Sequence, residues 1–217
     1  MIIAIANYKW GVGKSTLCQN YATYFSWQSK SVCIIDTDTN FTTLNWYNSR
    51  SFQLPNVTLF RTPSVKNFKE VLFYIKPLFD LIFIDGKPSD IDFNDAILES
   101  SDILLVPTLP SLSDLKVTED FIKNIHLENR KYTNLISIRC ILNKATNTNI
   151  SKEALINLST LWVDIMNNYL KDRVRYKRAY EQWKWLWEVS PKEVNKVCQE
   201  LDSLVCRTKV LLALKNF

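Results

Sequence analysis

The segment Lys9–Thr16, which reads Lys-Trp-Gly-Val-Gly-Lys-Ser-Thr, constrains the fold of this chain more than any other part of the sequence. It follows an apolar run, Ile2–Ala6, that is typical of a buried strand, and it precedes a helical pattern over 15–29. A glycine loop between a strand and a helix directs backbone N–H groups and the helix N-terminus at one point, which suits a phosphate. The sequence therefore predicts an α/β fold with a phosphate site at the start of its first helix.

Several side chains of this loop carry chemistry. Lys14 can reach the β and γ phosphates of a nucleotide, and the Ser15 hydroxyl is a ligand for Mg²⁺. The ordinary phosphate-loop pattern has a glycine five residues before Gly13, where this chain has Tyr8, and Lys9 adds a second lysine. The residues expected to hold the nucleotide here are Lys9, Gly11, Val12, Gly13, Lys14, Ser15 and Thr16.

The loop resembles the deviant Walker A box, K-G-G-x-G-K-[ST]-T, of the ParA/MinD family of ATPases. Trp10 departs from that box, because the family has glycine at this position. In the family the extra lysine reaches across a nucleotide-bound dimer to the partner's phosphates, and the resemblance gives that catalytic role to Lys9. The alternative is a chance glycine loop, which the preceding strand and the second lysine argue against.

Carboxylates follow two more predicted strands. The predicted strands over 32–38 and 81–86 begin with the apolar runs 32–35 and 81–84, which are typical of parallel strands that are covered on both faces. Asp36, Asp38 and Asp85 follow these runs, and α/β sheets bind their ligands at the carboxyl ends of strands. We therefore expect the three carboxylates to lie near the phosphate loop.

These two segments resemble the D-x-D-P-Q box and the Walker B segment, D-T-P-P-S, of the same family. The resemblance gives Asp38 the orientation of the attacking water. Asp85 is expected to hold Mg²⁺ through water, because Mg²⁺ keeps much of its hydration shell. The expected Mg²⁺ residues are Ser15, Asp36 and Asp85, and the expected cofactors are ATP and Mg²⁺.

A later strand, near 136–143, ends in Asn143-Lys144-Ala145-Thr146. A guanine site would require a carboxylate in place of Thr146. The amide of Asn143 both donates and accepts, which suits adenine, and the family also has an asparagine near the base. The alternative is a loop asparagine that caps or turns the backbone, and both interpretations stay open.

The apolar runs alternate with helical patterns and predict a doubly wound, mostly parallel α/β sheet flanked by helices. By resemblance this is the P-loop NTPase fold of the deviant Walker A type. Strands are predicted near 2–7, 32–38, 57–62, 81–86, 102–108, 136–143 and 162–166. Helices are predicted over 15–29, 66–79 and 116–130, and Ser151 before Glu153-Ala154-Leu155 is typical of a further helix start. A length of 217 residues suits one large domain, and we expect a single domain over 1–217.

The cysteines are scattered without a C-x-x-C pair, so we expect reduced residues of a cytoplasmic protein, and neither a disulfide frame nor a metal site. Met1 leads directly into a strand without a charged leader, which predicts no signal peptide. No apolar run approaches the ~20 residues that span a bilayer.

The segment 171–184 is strongly basic and contains interleaved aromatic residues. Its six basic and two acidic residues give a charge of +4, against +5 for the whole chain. It resembles the region after the last strand of ParA-type proteins, whose basic residues bind DNA without sequence preference. A solvated helix face is the alternative. The expected DNA-binding residues are Arg173, Arg175, Lys177, Arg178 and Lys184.

The region 198–217 carries apolar residues at broad helical spacing among basic ones. In MinD-type members a terminal amphipathic helix of this kind binds membrane. We expect this stripe to pack on the sheet instead, and a membrane partner is not expected.

The resemblance as a whole implies a small ParA-like ATPase, slow and stimulated by a partner, that forms a homodimer when ATP is bound. Such a dimer binds nucleoid DNA non-specifically, and a ParB-like partner on the cargo triggers hydrolysis. The expected function is partition of plasmid or chromosomal DNA, or positioning of another cargo. Gly86 and Lys87 replace the Thr-Pro of the family's Walker B segment, and Lys87 adds a positive charge there. Together with Trp10, Lys87 leaves open a nucleotide-dependent clamp with little hydrolysis, and a MinD-like membrane switch is a further alternative.

Overall fold

A computed structural model describes residues 1–49, 56–88, 90–128, 137–146, 148–161, 163–168 and 191–215. The described residues form seven strands, which are β1 (Ile2–Ile5), β2 (Val32–Asp36), β3 (Val57–Arg61), β4 (Leu81–Asp85), β5 (Ile103–Thr108), β6 (Ser137–Leu142) and β7 (Asp164–Ile165). They also form seven helices, which are α1 (Lys14–Trp27), α2 (Thr42–Asn48), α3 (Val65–Ile75), α4 (Ile91–Ser100), α5 (Leu112–Glu128), α6 (Asn149–Ser159) and α7 (Pro191–Lys215).

The strands form one sheet in the order β3-β2-β4-β1-β5-β6-β7, and every neighbouring pair is parallel. The register places Ile5 beside Asp85 and Asp36 beside Asp85, so these strands end level with one another. Parallel strands that end level bring the loops after them to the same edge of the sheet. We call this side the carboxyl edge.

Helices cover both faces of the sheet, which explains why the central strands are apolar throughout. On one face α1 buries Tyr21 and Phe25 against Phe83 of β4, with ring centroids 6.4 and 6.0 Å apart. On the other face Phe68 of α3 lies 5.6 Å from Phe93 of α4. The two buried clusters therefore pack helices on both faces of the sheet.

The predicted doubly wound α/β fold is confirmed, and each of the seven predicted strands is present. Two helices, α2 and α4, were not predicted. The first is short and begins after Phe41, which has a left-handed backbone (φ 59°) and no capping side chain. The second begins at Asp90, whose carboxylate accepts the Phe93 N–H at 3.1 Å. Neither presents a long periodic pattern, because each is only a few turns of a connection between strands.

The terminal helix α7 packs against α1 and the sheet over most of its described length. Leu201 is fully buried, and Val205 is 3% exposed. The last turns differ, since Val210 and Leu211 are 59% and 61% exposed. The expected packing of the apolar stripe is therefore confirmed for its first half. Within the described residues, no helix is long and apolar enough to cross a membrane.

We predict that Leu201→Ala lowers the free energy of unfolding by about 2–5 kcal/mol, because it leaves a cavity between α7 and α1. Leu211→Ala is the matched control, and it should change stability by no more than about 0.5 kcal/mol. Urea denaturation followed by circular dichroism measures both. Equal effects for the two variants would contradict the packing of α7.

Candidate nucleotide site

The carboxyl edge gathers the residues that the sequence predicts for nucleotide and Mg²⁺ binding. The loop after β1 lies between the ends of β4 and β5, the neighbours of β1 in the sheet. Asp36 and Asp38 follow β2, Asp85 ends β4, and Asn143 follows β6. The five residues predicted to bind DNA lie outside the described part of the chain.

The loop backbone depends on its glycines. Gly11 and Gly13 have φ values of 74° and 96°, which side chains other than hydrogen rarely allow. A Cβ atom on Gly13 would also lie 2.2 Å from the amide nitrogen of Asn143. The helix α1 begins directly after Gly13 without a capping side chain, so its first N–H groups point at the loop. The loop therefore has the geometry of an anion site at a helix N-terminus.

Lys14 folds back across this loop. Its amine donates to the carbonyl oxygen of Lys9 at 2.7 Å, and the residue is only 6% exposed. Burial lowers the pKa of Lys14 to about 8, although the nearby carboxylates of Asp85 and Asp38 oppose this shift. The amine is thus a concentrated positive charge in a poorly hydrated position, which favours binding of a phosphate anion.

Lys9 is held by Asn7, which follows β1, and by Asp114 of α5. Its backbone N–H donates to Asn7 Oδ1 at 3.0 Å, and its amine lies 3.2 Å from Asp114 Oδ1. Asn7 is fully buried and donates to Pro107 O and Thr118 Oγ1, each at 2.9 Å. The start of the loop is therefore tied to β5 and the first turns of α5.

Asp36 and Asp85 form a buried acidic pair beside the loop. Burial, with a smaller effect of Asp85, raises the pKa of Asp36 to about 7. Burial raises the pKa of Asp85 to about 6, and the hydroxyls of Thr43 and Ser15 oppose the shift. Thr43 donates to Asp85 Oδ2 at 2.7 Å. Two carboxylates this close in a dry site favour a neutralising cation.

The pair fits a Mg²⁺ ion. Among the described residues, nothing donates a hydrogen bond with good geometry to Asp36 Oδ2 or Asp85 Oδ1, and both atoms are buried. No cluster of three or more His, Cys, Asp or Glu in the described ranges could hold a metal alone. Mg²⁺ is usually held by one or two protein oxygens together with substrate phosphates and water. Carboxylate oxygens with the Ser15 hydroxyl are the donor types that it prefers.

Asp38 lies on the segment that leaves β2. It is 9% exposed, its N–H donates to Asp36 Oδ1 at 3.0 Å, and its Oδ1 accepts the Asn40 N–H at 3.1 Å. Such successive side-chain turns fix the carboxylate without a helix or strand around it. Its role in orienting water stays a prediction.

The end of β6 supports the phosphate loop from the other side. Asn143 donates to Val12 O at 2.9 Å, and its Oδ1 accepts the Lys144 N–H at 3.0 Å. The Lys144 amine donates to Gly11 O at 2.9 Å, from a residue whose φ is 51°. Asn143 thus fixes the loop backbone here, and its contact with adenine stays a prediction.

Sequence analysis missed several of these partners. Asn7, Thr43 and Asp114 contact predicted site residues but belong to none of the motifs. Lys144 lies in the segment that follows β6, but sequence analysis assigned it no role. One signal was available for Asp114. The spacing Ser111-x-x-Asp114 is typical of a helix start, and the Asp114 N–H does donate to Ser111 Oγ at 3.2 Å.

Trp10 and Lys87, two of the residues that depart from the family motifs, occupy different surroundings. Trp10 is 51% exposed at the tip of the loop. Lys87 forms an ion pair with Asp90 Oδ2 at 2.9 Å, which directs its charge toward the start of α4. Its backbone N–H donates to Thr37 Oγ1 at 2.9 Å, beside the segment of Asp38.

These features define a P-loop nucleoside triphosphatase fold. They are a glycine loop at a helix N-terminus, a buried lysine, and a pair of carboxylates on a parallel sheet, each with one oxygen that lacks a hydrogen-bond partner among the described residues. The model of the CobQ/CobB/MinD/ParA nucleotide binding domain matches residues 3–184, and the chain belongs to this family. A comparison with curated protein sequences gave no match.

Solved structures agree with this fold. McdA of Cyanothece superposes with a TM-score of 0.79 at 18% identity, over 94% of this chain and 98% of the other. A plasmid partition protein of Borrelia burgdorferi bound to AMPPNP gives 0.72 at 18% identity, over 93% and 98%. The septum site-determining protein MinD of Pyrococcus horikoshii, complexed with Mg-ADP, gives 0.68 at 17% identity, over 95% and 98%.

We predict that the nucleotide-free protein loses stability as the pH rises from about 4 to 7. In this window the folded state keeps protons on Asp36 and Asp85 that the unfolded chain has released, so unfolding becomes easier with rising pH. Each carboxyl contributes a slope of at most about 1.4 kcal/mol per pH unit. The lowered pKa of Lys14 acts in the opposite direction, but only above about 8.

Denaturant unfolding at several pH values measures the slope. Asp36→Asn should flatten it, whereas Asp92→Asn, which removes an exposed carboxylate from α4, should leave it unchanged. An equal slope in the wild type and in Asp36→Asn would show that the raised pKa of Asp36 does not cause the pH dependence.

Proposed function

We propose that the protein is a Mg²⁺-dependent ATPase of the ParA type that works as an ATP-bound dimer. The observation that supports this most is the buried carboxylate pair with unpartnered oxygens beside a lysine-containing phosphate loop. A site of this kind places positive charge on phosphate oxygens and leaves carboxylate oxygens for a cation. The relatives bound to AMPPNP and to Mg-ADP support nucleotide as the ligand.

The chain's own residues have separable tasks in this proposal. Lys14 exchanges its contact with the Lys9 carbonyl for the phosphates, and the N–H groups at the start of α1 surround them. Ser15, Asp36 and Asp85 are the residues that would hold Mg²⁺, which would supply positive charge opposite the charge that develops on the phosphates. Asp38 accepts a hydrogen bond from the attacking water and orients it toward the terminal phosphate.

Dimer formation gives Lys9 its function. Only part of its side chain is buried, and its amine lies at the border of the carboxyl edge, where a second chain can approach. A lysine supplied by the partner chain stabilises charge on the transferring phosphoryl group only when two chains meet. This coupling makes hydrolysis depend on dimerisation. In this proposal residues 1–217 act as a single domain.

The proposed role is partition of plasmid or chromosomal DNA, or positioning of another large cargo, on the nucleoid. The basic segment 171–184 supports DNA binding through its charge of +4. The likeness to a plasmid partition protein supports the same class of function. A ParB-like partner on the cargo would then stimulate hydrolysis and release the dimer.

A nucleotide-dependent clamp with slow turnover is a second candidate. Trp10, exposed at the tip of the loop, and Lys87, beside the segment of Asp38, both occupy positions where the family motif has other residues. Phosphate release measured with and without DNA separates the two. A clamp forms the ATP-dependent dimer but shows no stimulated turnover.

We expect Lys14→Ala to lower ATP affinity at least about a hundredfold, because it removes the main cation from the phosphate site. Asp38→Ala should keep ATP affinity within about threefold while abolishing hydrolysis, since it changes only the orientation of water. Titration calorimetry and phosphate release measure these effects. Unchanged ATP affinity in Lys14→Ala would rule out the phosphate site.

The DNA interface is tested by salt dependence. If 171–184 contacts phosphates, binding requires ATP and weakens with salt, with a log–log slope of about −0.9 for each phosphate neutralised. Changing Arg173 and Arg175 together to alanine should make that slope less steep without changing ATP affinity. Gel-shift titrations and melting curves are compared for the two proteins. An unchanged slope with a lower melting temperature would place both arginines in the fold instead.

A further inference from the structure

Asp114 is a buried carboxylate that the nucleotide motifs do not include. It lies in the first turn of α5, and its side chain is 9% exposed. Its Oδ2 accepts a hydrogen bond from the Ser111 hydroxyl. Its Oδ1 is buried and receives no well-formed hydrogen bond from the described residues, so the Lys9 amine at 3.2 Å is what offsets the charge there.

The backbone of both residues in this ion pair is held by one group of hydrogen bonds. The Asp114 carbonyl accepts the Thr118 hydroxyl at 2.9 Å, and Thr118 in turn accepts from Asn7 at 2.9 Å. Asn7 also accepts the backbone N–H of Lys9 at 3.0 Å. Both the backbone and the amine of Lys9 are thus held by one hydrogen-bonded group of residues within its own chain.

We propose that Asp114 is a positioning residue that retains Lys9 within its own protomer and thereby sets how readily two ATP-bound chains pair. This inference rests on the proposed function, in which Lys9 contacts the phosphates of the partner. The amine cannot remain 3.2 Å from Asp114 and also extend into a second chain. Pairing must therefore break an ion pair and leave a mostly buried carboxylate oxygen without its cation, which is costly.

ATP-dependent dimerisation is then a competition between two anions, Asp114 and the partner's triphosphate, for the amine of Lys9. In the nucleotide-free chain Asp114 holds Lys9, and the loop is kept from premature pairing. In the ATP-bound pair the partner's triphosphate replaces Asp114. The charge of Asp114, and not its shape, controls the balance, so an isosteric neutral residue should favour the dimer.

The test uses Asp114→Asn in the full chain with AMPPNP. Sedimentation velocity should show the dimer dissociation constant lowered by about three- to tenfold, while the AMPPNP affinity of the monomer stays within about twofold. In a Lys9→Ala background the same substitution should have no effect on dimerisation. Glu99→Gln is the matched control, because it removes an exposed ion pair of similar length, 3.1 Å to Lys69, on helices remote from Lys9.

A second measurement does not depend on dimerisation. In the nucleotide-free protein, acetylation of Lys9 by an amine-reactive reagent, followed by mass spectrometry, should be about two- to fivefold faster in Asp114→Asn than in the wild type. Asp114→Ala serves the same comparison if the asparagine variant does not fold, with melting curves as the check.

The outcomes separate this inference from the proposed function. A wild-type chain that binds no AMPPNP or forms no dimer with it overturns the proposed function and the inference with it. A wild-type dimer that Asp114→Asn leaves unchanged or weakens overturns the inference alone. Equal tightening with and without Lys9 also overturns it, since Asp114 would then act through another residue.

Discussion

The close approach between the phosphate loop and the end of β6 fixes the geometry on which the rest of the carboxyl edge depends. Asn143 lies so near Gly13 that a single Cβ atom would come within 2.2 Å of its amide. From that position it holds the carbonyl of Val12 at 2.9 Å. Because the loop cannot shift away from β6, the start of α1 and the amine of Lys14 are placed relative to the sheet. The parallel register then brings Asp36 and Asp85 to the same level.

This geometry buries charged groups, and the rest of the fold does not fully offset the loss of their hydration. Two carboxylates beside each other are buried, and burial raises the pKa of both. Lys14 is buried near them, and burial lowers its pKa. Charged groups whose burial is unfavourable without a ligand, and which a ligand of opposite charge stabilises, are typical of functional sites. A Mg²⁺–nucleotide complex supplies a cation for the two carboxylates and anionic phosphates for Lys14. Without it, the raised pKa values of Asp36 and Asp85 make the stability of the chain depend on pH.

Much of this architecture could be predicted from the sequence because its signals are local. Each of these signals is contained within a few consecutive residues, whether it is an apolar strand, the glycines of the loop or a carboxylate at the end of a strand. The partners of Lys9 could not be found in the same way. Asp114 is separated from it by more than one hundred residues, and only the pairing of β1 with β5 brings them together. Helices α2 and α4 were missed because they have only 7 and 10 residues, so each offers few turns from which a helical period can be recognised.

The lysines of the carboxyl edge are all engaged within the chain, and their acceptors differ in strength. Lys14 and Lys144 donate to neutral carbonyls of the loop, at 2.7 and 2.9 Å. Lys9 and Lys87 pair with carboxylates, at 3.2 and 2.9 Å. A hydrogen bond to a carbonyl is exchanged for a phosphate at little cost, whereas a lysine leaving a mostly buried carboxylate costs more.

An order of events follows from this difference. In the proposed function, Lys14 releases the Lys9 carbonyl when the nucleotide enters, while Asn7 still holds the Lys9 backbone N–H and Asp114 still holds its amine. Lys9 leaves Asp114 only when a stronger anion competes for its amine, and in the proposed function that anion is the triphosphate of a second chain. In the proposed function, nucleotide binding and pairing are therefore separate steps, and the ion pair between Lys9 and Asp114 must break between them.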